Sequence, residues 1–112
     1  MDSDARLGLE DEFHERMYDL YREAKKAGYD ATAFLAMVRD RGGLAAAQHC
    51  LGEVTDGFTR LWSMKRLDLS VEFAVLEPRW TPLFTGAERE VARGRLRDAR
   101  VPELIAKAEA TP

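Results

Sequence analysis

The stretch Leu67-Asp68-Leu69-Ser70-Val71-Glu72-Phe73-Ala74-Val75-Leu76 decides the fold. Leu67, Leu69, Val71, Phe73 and Val75 alternate with Asp68, Ser70, Glu72 and Ala74, which is the period of a half-buried strand. The same residues also make a helix capped by Asp68, with Leu69, Phe73 and Leu76 on one face and Val71 and Val75 on the other. A helix that is apolar on two sides belongs in the middle of a core. The rest of the chain breaks the tie. No other segment alternates, and a strand without a partner leaves its backbone N–H and C=O groups unsatisfied. The stretch therefore reads as helix. The chain reads as all-α, a compact single domain of six or seven short helices over residues 1–112, with 1–6 and 110–112 as flexible ends.

Outward from that stretch, the pattern is helical on both sides. Phe58, Leu61 and Trp62 fall at i, i+3 and i+4 and so share one face of a short helix capped by Thr55 or Asp56. Before it, Leu44, Ala47 and Leu51 align on a helix over 44–51, where Ala45-Ala46-Ala47 lets a neighbour approach closely. Gly42-Gly43 separates that helix from one over Ala31 to about Arg39, capped by Asp30 and burying Phe34, Leu35 and Val38. The first helix, from about Leu7 to Ala27, buries Leu9, Phe13, Met17, Leu20, Tyr21 and Ala24. It has acids in its first turns, bases in its last, and Gly28 as its stop.

On the C-terminal side, Pro78-Arg79-Trp80-Thr81-Pro82 reads as a stiff extended loop. Thr85 and Glu88 form a capping-box pattern for a helix over about 86–99, and Pro102 permits a last short helix over 103–109.

At 112 residues, with 46% apolar and 33% charged residues, the chain suits one soluble domain. The single cysteine, Cys50, excludes an internal disulfide and points to a reducing, cytoplasmic home. The acidic Met1–Arg6 segment does not read as a secretory signal, and no apolar run is long enough to span a membrane. The net charge of −3 is unevenly spread: residues 1–30 hold nine acids and five bases, residues 60–100 nine bases and six acids. Such a split can steer a partner or favour head-to-tail contacts between copies.

No catalytic, metal or cofactor pattern emerges. His14-Glu15 lacks the second histidine of a zinc-protease helix, because position 18 is Tyr18. His49 and Cys50 are adjacent, about 100 degrees apart on a helix, and cannot easily share a metal or form a dyad. Ser63, Ser70 and Thr85 lack the glycines of a nucleophile elbow. Gly42-Gly43 follows a helix and has no lysine, so it is no phosphate loop. A helix-turn-helix over 34–51 would present only Gln48 and His49 to bases, without the cations that dominate DNA affinity.

Two surface features remain. Arg89, Arg93, Arg97 and Arg100 lie within about 80 degrees of one another on a helical wheel, a stripe suited to phosphates or to an acidic protein surface. Arg95 faces elsewhere, among Val91, Leu96 and Ala99. Arg79 and Trp80, pinned between prolines, are residue types favoured as interface anchors. A buried Trp80 would instead cap the end of the bundle and cover Leu83 and Phe84, and that is the expected placement.

The string Phe34-Leu35-x-Met37-Val38, Gly42-Gly43, Gly57-Phe58, Leu61-Trp62, Arg66 to Glu72, and Leu83-Phe84-Thr85-x-x-Glu88 resembles a small bacterial helical domain family. Its members carry no assigned reaction and stand alone or are joined to nuclease- or ATPase-type proteins of restriction and defence. The resemblance runs from about Glu12 to Leu96. It implies a fold and an accessory role, and no catalytic residue.

The expectation is a cytoplasmic, non-catalytic protein-interaction module that binds a protein partner or a second copy of itself. The alternative is an accessory nucleic-acid binder acting through the arginine stripe. No cofactor and no membrane contact are expected.

Overall fold

The ambiguous stretch is helical in the computed structural model, which describes residues 2–112. Leu67–Leu69 form one 3-10 turn and Val71–Val75 a five-residue α-helix. The described residues are all-α. The helices are α1 (Ser3–Lys26), α2 (Thr32–Arg41), α3 (Gly43–Gly52), α4 (Asp56–Ser63), α5 (Val71–Val75), α6 (Gly86–Asp98) and α7 (Glu103–Glu109), with a second 3-10 segment at Pro78–Leu83.

α5 is the centre of the domain. Five residues are far too few to hold a helix alone, and packing supplies the rest: every residue of α5 is buried, against α3, α6, α7 and α1. Its cap is Ser70, whose Oγ accepts from the Phe73 N–H at 3.2 Å and donates to the Leu67 carbonyl at 2.6 Å. The Asp68 expected there turns outward and pairs with Arg66 at 3.0 Å.

α1 packs most extensively on α3. Phe13, Met17, Leu20 and Ala24 supply its buried face, and on α3 the small Ala46 and Ala47 are fully buried. Leu9 and Tyr21 are only half-buried. Gly43 permits the closest approach. Its N–H donates to His14 Nδ1 at 2.8 Å, and a Cβ there would stand 2.6 Å from the His14 Cα.

Three helices end alike. After α1, the Gly28 N–H bonds to Lys25 O and the Tyr29 N–H reaches back to Ala24 O at 2.9 Å, with Gly28 at φ 108. That is the Schellman arrangement. α4 and α6 close the same way, but with non-glycine residues in the left-handed position: Lys65 at φ 59 and Arg100 at φ 66.

Several local expectations are corrected. α1 begins at Ser3, with Asp2 capping Ala5 N–H at 2.8 Å. Asp30 does not cap α2; it accepts from the Tyr21 hydroxyl at 2.7 Å, and Ala31 stands at the cap without a side-chain bond. Of Phe34, Leu35 and Val38, only Val38 is buried, because α2 packs on α1 and α3 and has no extensive contact beyond them. Thr55 caps α4. On α4, Leu61 enters the core, Phe58 is half-buried, and Trp62 is 54% exposed with its indole N–H on the Ala99 carbonyl at 3.4 Å.

The Pro78–Pro82 segment is not extended. Both prolines carry the φ that a 3-10 helix needs, and the turn closes through Trp80 N–H on Glu77 O. The capping box of Thr85 and Glu88 opens α6 as expected.

Candidate functional site

Trp80 is buried, 3% exposed, and so covers the end of the bundle. Its ring and that of Phe84 each stand 5.2 Å from Phe13 in edge contacts. Its indole N–H donates to Glu77 Oε1, and Glu77 also holds the Arg16 guanidinium through both oxygens at 2.9 and 3.0 Å. Arg79 is exposed, bonded to Glu12 at 2.7 Å and lying over the Trp80 ring at 4.9 Å. Only Arg79 of this pair meets solvent, and it is tied to α1.

The arginine stripe is only partly open. Arg93 and Arg97 both donate to Glu90, and Arg93 also reaches Glu109 on α7 at 3.2 Å. Bonds from Arg97 and then Arg93 hold the Glu90 carboxyl below its usual range. Arg89 Nε is sealed from solvent without a hydrogen-bond partner. Arg100 lies past the end of α6, in the left-handed position that closes it.

Arg95 does something the sequence left open. Its guanidinium turns inward, 13% exposed, and donates to Glu72 Oε2 at 2.8 Å. It also donates to the Cys50 carbonyl and, at 2.9 Å, to the Leu51 carbonyl. Those two carbonyls belong to the last turn of α3, where helix acceptors lack internal partners. One side chain thus joins α6, α5 and the end of α3. Burial pushes the Glu72 carboxyl above its usual value, while Arg95 pulls the other way.

Beside this junction lies a cleft of about 410 Å³ between α2 and α4. Tyr29, Phe34, Met37 and Phe58 wall it, all half-buried. Cys50 and Glu72 lie deeper. The size falls in the range of small ligand sites, and a mainly apolar lining with a few polar groups is what such sites use.

Burial, and then Glu72, push the Cys50 thiol up to about 12, so at neutral pH it is a protonated, weakly nucleophilic group. Among the described residues, no three His, Cys, Asp or Glu side chains converge as a metal site, and no helix is long and apolar enough to cross a membrane. His14 serves the α1–α3 contact, and His49 sits on the surface 3.7 Å from Glu53.

Sequence reasoning missed both the cleft and the Arg95–Glu72 pair. Glu72 is the one ionisable residue within Leu69–Leu76, and Arg95 is a lone base on an apolar face. Two opposite charges, each alone in apolar surroundings, were the available signal for the pair. The cleft left no comparable trace, because Phe34 and Phe58 read as core residues in their own helices.

No protein-family model, curated protein or solved structure matches this chain.

Proposed function

We propose that the chain is a non-catalytic interaction module that receives an apolar segment of a partner protein in the cleft between α2 and α4. One observation carries this reading. The chain leaves Phe34, Met37 and Phe58 half-exposed around a concavity of about 410 Å³ that none of the described side chains fills. Val54 on the rim is 60% exposed, which extends the apolar surface beyond the hollow and suits a macromolecular occupant. The unreactive thiol of Cys50 favours binding over covalent chemistry. The accessory role implied by the resemblance over residues 12–96 would be this same binding role, exercised in the cytoplasm beside a larger enzyme.

The nucleic-acid reading draws less support. Arg93 and Arg97 are already engaged by Glu90 and Glu109, and that internal pairing lowers the counterion release that drives phosphate binding.

A photo-crosslinking side chain placed at Phe34, at Phe58 or at Arg97 separates the two. The cleft reading expects the same protein to be captured from positions 34 and 58 and not from 97. Capture from 97 alone, or of nucleic acid from 97, contradicts it.

A further inference from the structure

The chemistry of the cleft narrows its occupant. None of the 17 Lys and Arg residues lines the hollow itself, while Glu53, Asp56 and Glu72 do; two arginines touch its lining, Arg60 over the Tyr29 ring at 5.5 Å and Arg95 on Glu72. His49 is the one basic residue type present there. Glu53 and Asp56 are exposed at the rim. Glu72 is 2% exposed. Its Oε2 accepts from Arg95 at 2.8 Å. A buried carboxylate with spare acceptor capacity, set in an apolar wall, favours a donor that brings positive charge with it.

We infer that the cleft is selective for a basic, apolar-flanked segment of the partner protein: a lysine or arginine entering beside an aromatic or aliphatic side chain, with Glu53 and Asp56 meeting it at the rim and Glu72 accepting from it below. This inference rests on the cleft being the recognition surface and adds the sign of the charge it takes. Phe34 and Phe58 serve it twice, since aromatic faces attract a cation as well as burying an apolar neighbour, whereas the Tyr29 ring already carries Arg60. An acidic occupant would bring a like charge against Glu53, Asp56 and Glu72, which is how the site rejects the wrong segment.

The test uses three small probes of one shape as side-chain surrogates: 4-phenylbutylammonium, 4-phenylbutanol and 4-phenylbutyrate. Each is titrated to about 10 mM, a range matched to millimolar binding, and followed by the backbone amide shifts of Cys50, Gly57 and Glu72. The expected order is ammonium tightest, at least about fivefold over the alcohol, with the carboxylate weakest, and the preference shrinks as salt rises. Glu72→Gln should narrow the preference for ammonium. Should that variant fail to fold, Glu53→Gln with Asp56→Asn on the exposed rim carries the same test. Equal binding of alcohol and ammonium overturns the charge selectivity and leaves the apolar cleft standing. A preference that survives every carboxylate substitution also overturns it. No shift with any probe removes the cleft reading itself.

Discussion

The Arg95 guanidinium and the Glu72 carboxylate meet at 2.8 Å, on two helices that both pack into the core, with 13% and 3% of their side chains exposed. A buried pair of this kind adds little net stability over an apolar pair, but losing one partner leaves an uncompensated charge. Here the loss would be compounded, because Arg95 also satisfies the Cys50 and Leu51 carbonyls at the end of α3.

Arg95→Met should therefore cost about 3–5 kcal/mol in urea unfolding, and adding Glu72→Leu should restore part of it. The pH dependence has a definite sign. Burial raises the Glu72 value in the folded chain, so the native state holds that proton more tightly than the unfolded state. Removing Arg95 takes away the influence that lowers it. The deficit of Arg95→Met is expected to be widest near neutral pH and to narrow as pH falls through the raised value toward the ordinary carboxylate range. A deficit independent of pH would contradict the assignment of Glu72 as the stranded charge.

Cys50 makes an alkaline prediction. Its thiol is pushed from 9.0 up to about 12 by burial and then by Glu72. The unfolded chain deprotonates first, so stability should fall as pH rises from 9 toward about 12, by about 1.4 kcal/mol per pH unit. The contribution of Cys50 is the difference in slope between the parent chain and Cys50→Ala, read from urea midpoints at several pH values. Parallel slopes would contradict it. At neutral pH, alkylation of the thiol should be slow and limited by local opening.

Two glycines in helices should respond oppositely to alanine. At Gly43 a Cβ would stand 2.6 Å from the backbone of α1, so Gly43→Ala must push α3 off α1 and should cost about 1–3 kcal/mol. At Gly94, inside α6, nothing lies within 4 Å of the added carbon, so Gly94→Ala should stabilise by about 0.5–1 kcal/mol. Thermal unfolding of both variants checks the pair.

The left-handed helix ends make a related case. Lys65 and Arg100 hold φ 59 and φ 66, where a side chain is strained and glycine is not. Lys65→Gly and Arg100→Gly should each stabilise the chain by up to about 1 kcal/mol. Arg100→Gly also removes one member of the arginine stripe, and the binding-module account expects no loss of partner affinity with it.

Much of the architecture was readable from local chemistry. Gly28 marks the end of α1, Thr85 and Glu88 mark the start of α6, and the apolar spacing of Phe13, Met17 and Leu20 marks the inner face of α1, since each acts within a turn or two of its own position. The identity of Leu67–Leu76 was readable only by elimination, because its helicity is imposed by α3, α6 and α7 rather than by its own periodicity. The half-burial of Phe34 and the exposure of Trp62 were not readable. Helical spacing tells which side chains share a face, but whether that face is covered depends on an element distant in sequence. The same applies to Arg93 and Arg97: their spacing defines a stripe, while Glu109 on α7, which helps close it, lies beyond the helix that carries them.

The most direct measurement is the affinity of the partner captured from Phe34 for two double variants, Phe34→Ala with Phe58→Ala and Arg93→Gln with Arg97→Gln. Loss of two aromatic contacts at the centre of an interface should weaken binding by about tenfold or more, while internally paired arginines, Arg93 half-buried and Arg97 exposed, should matter by less than about twofold. An unchanged affinity in the cleft variant, together with a steep loss in the arginine variant, would contradict the account and return the recognition surface to α6.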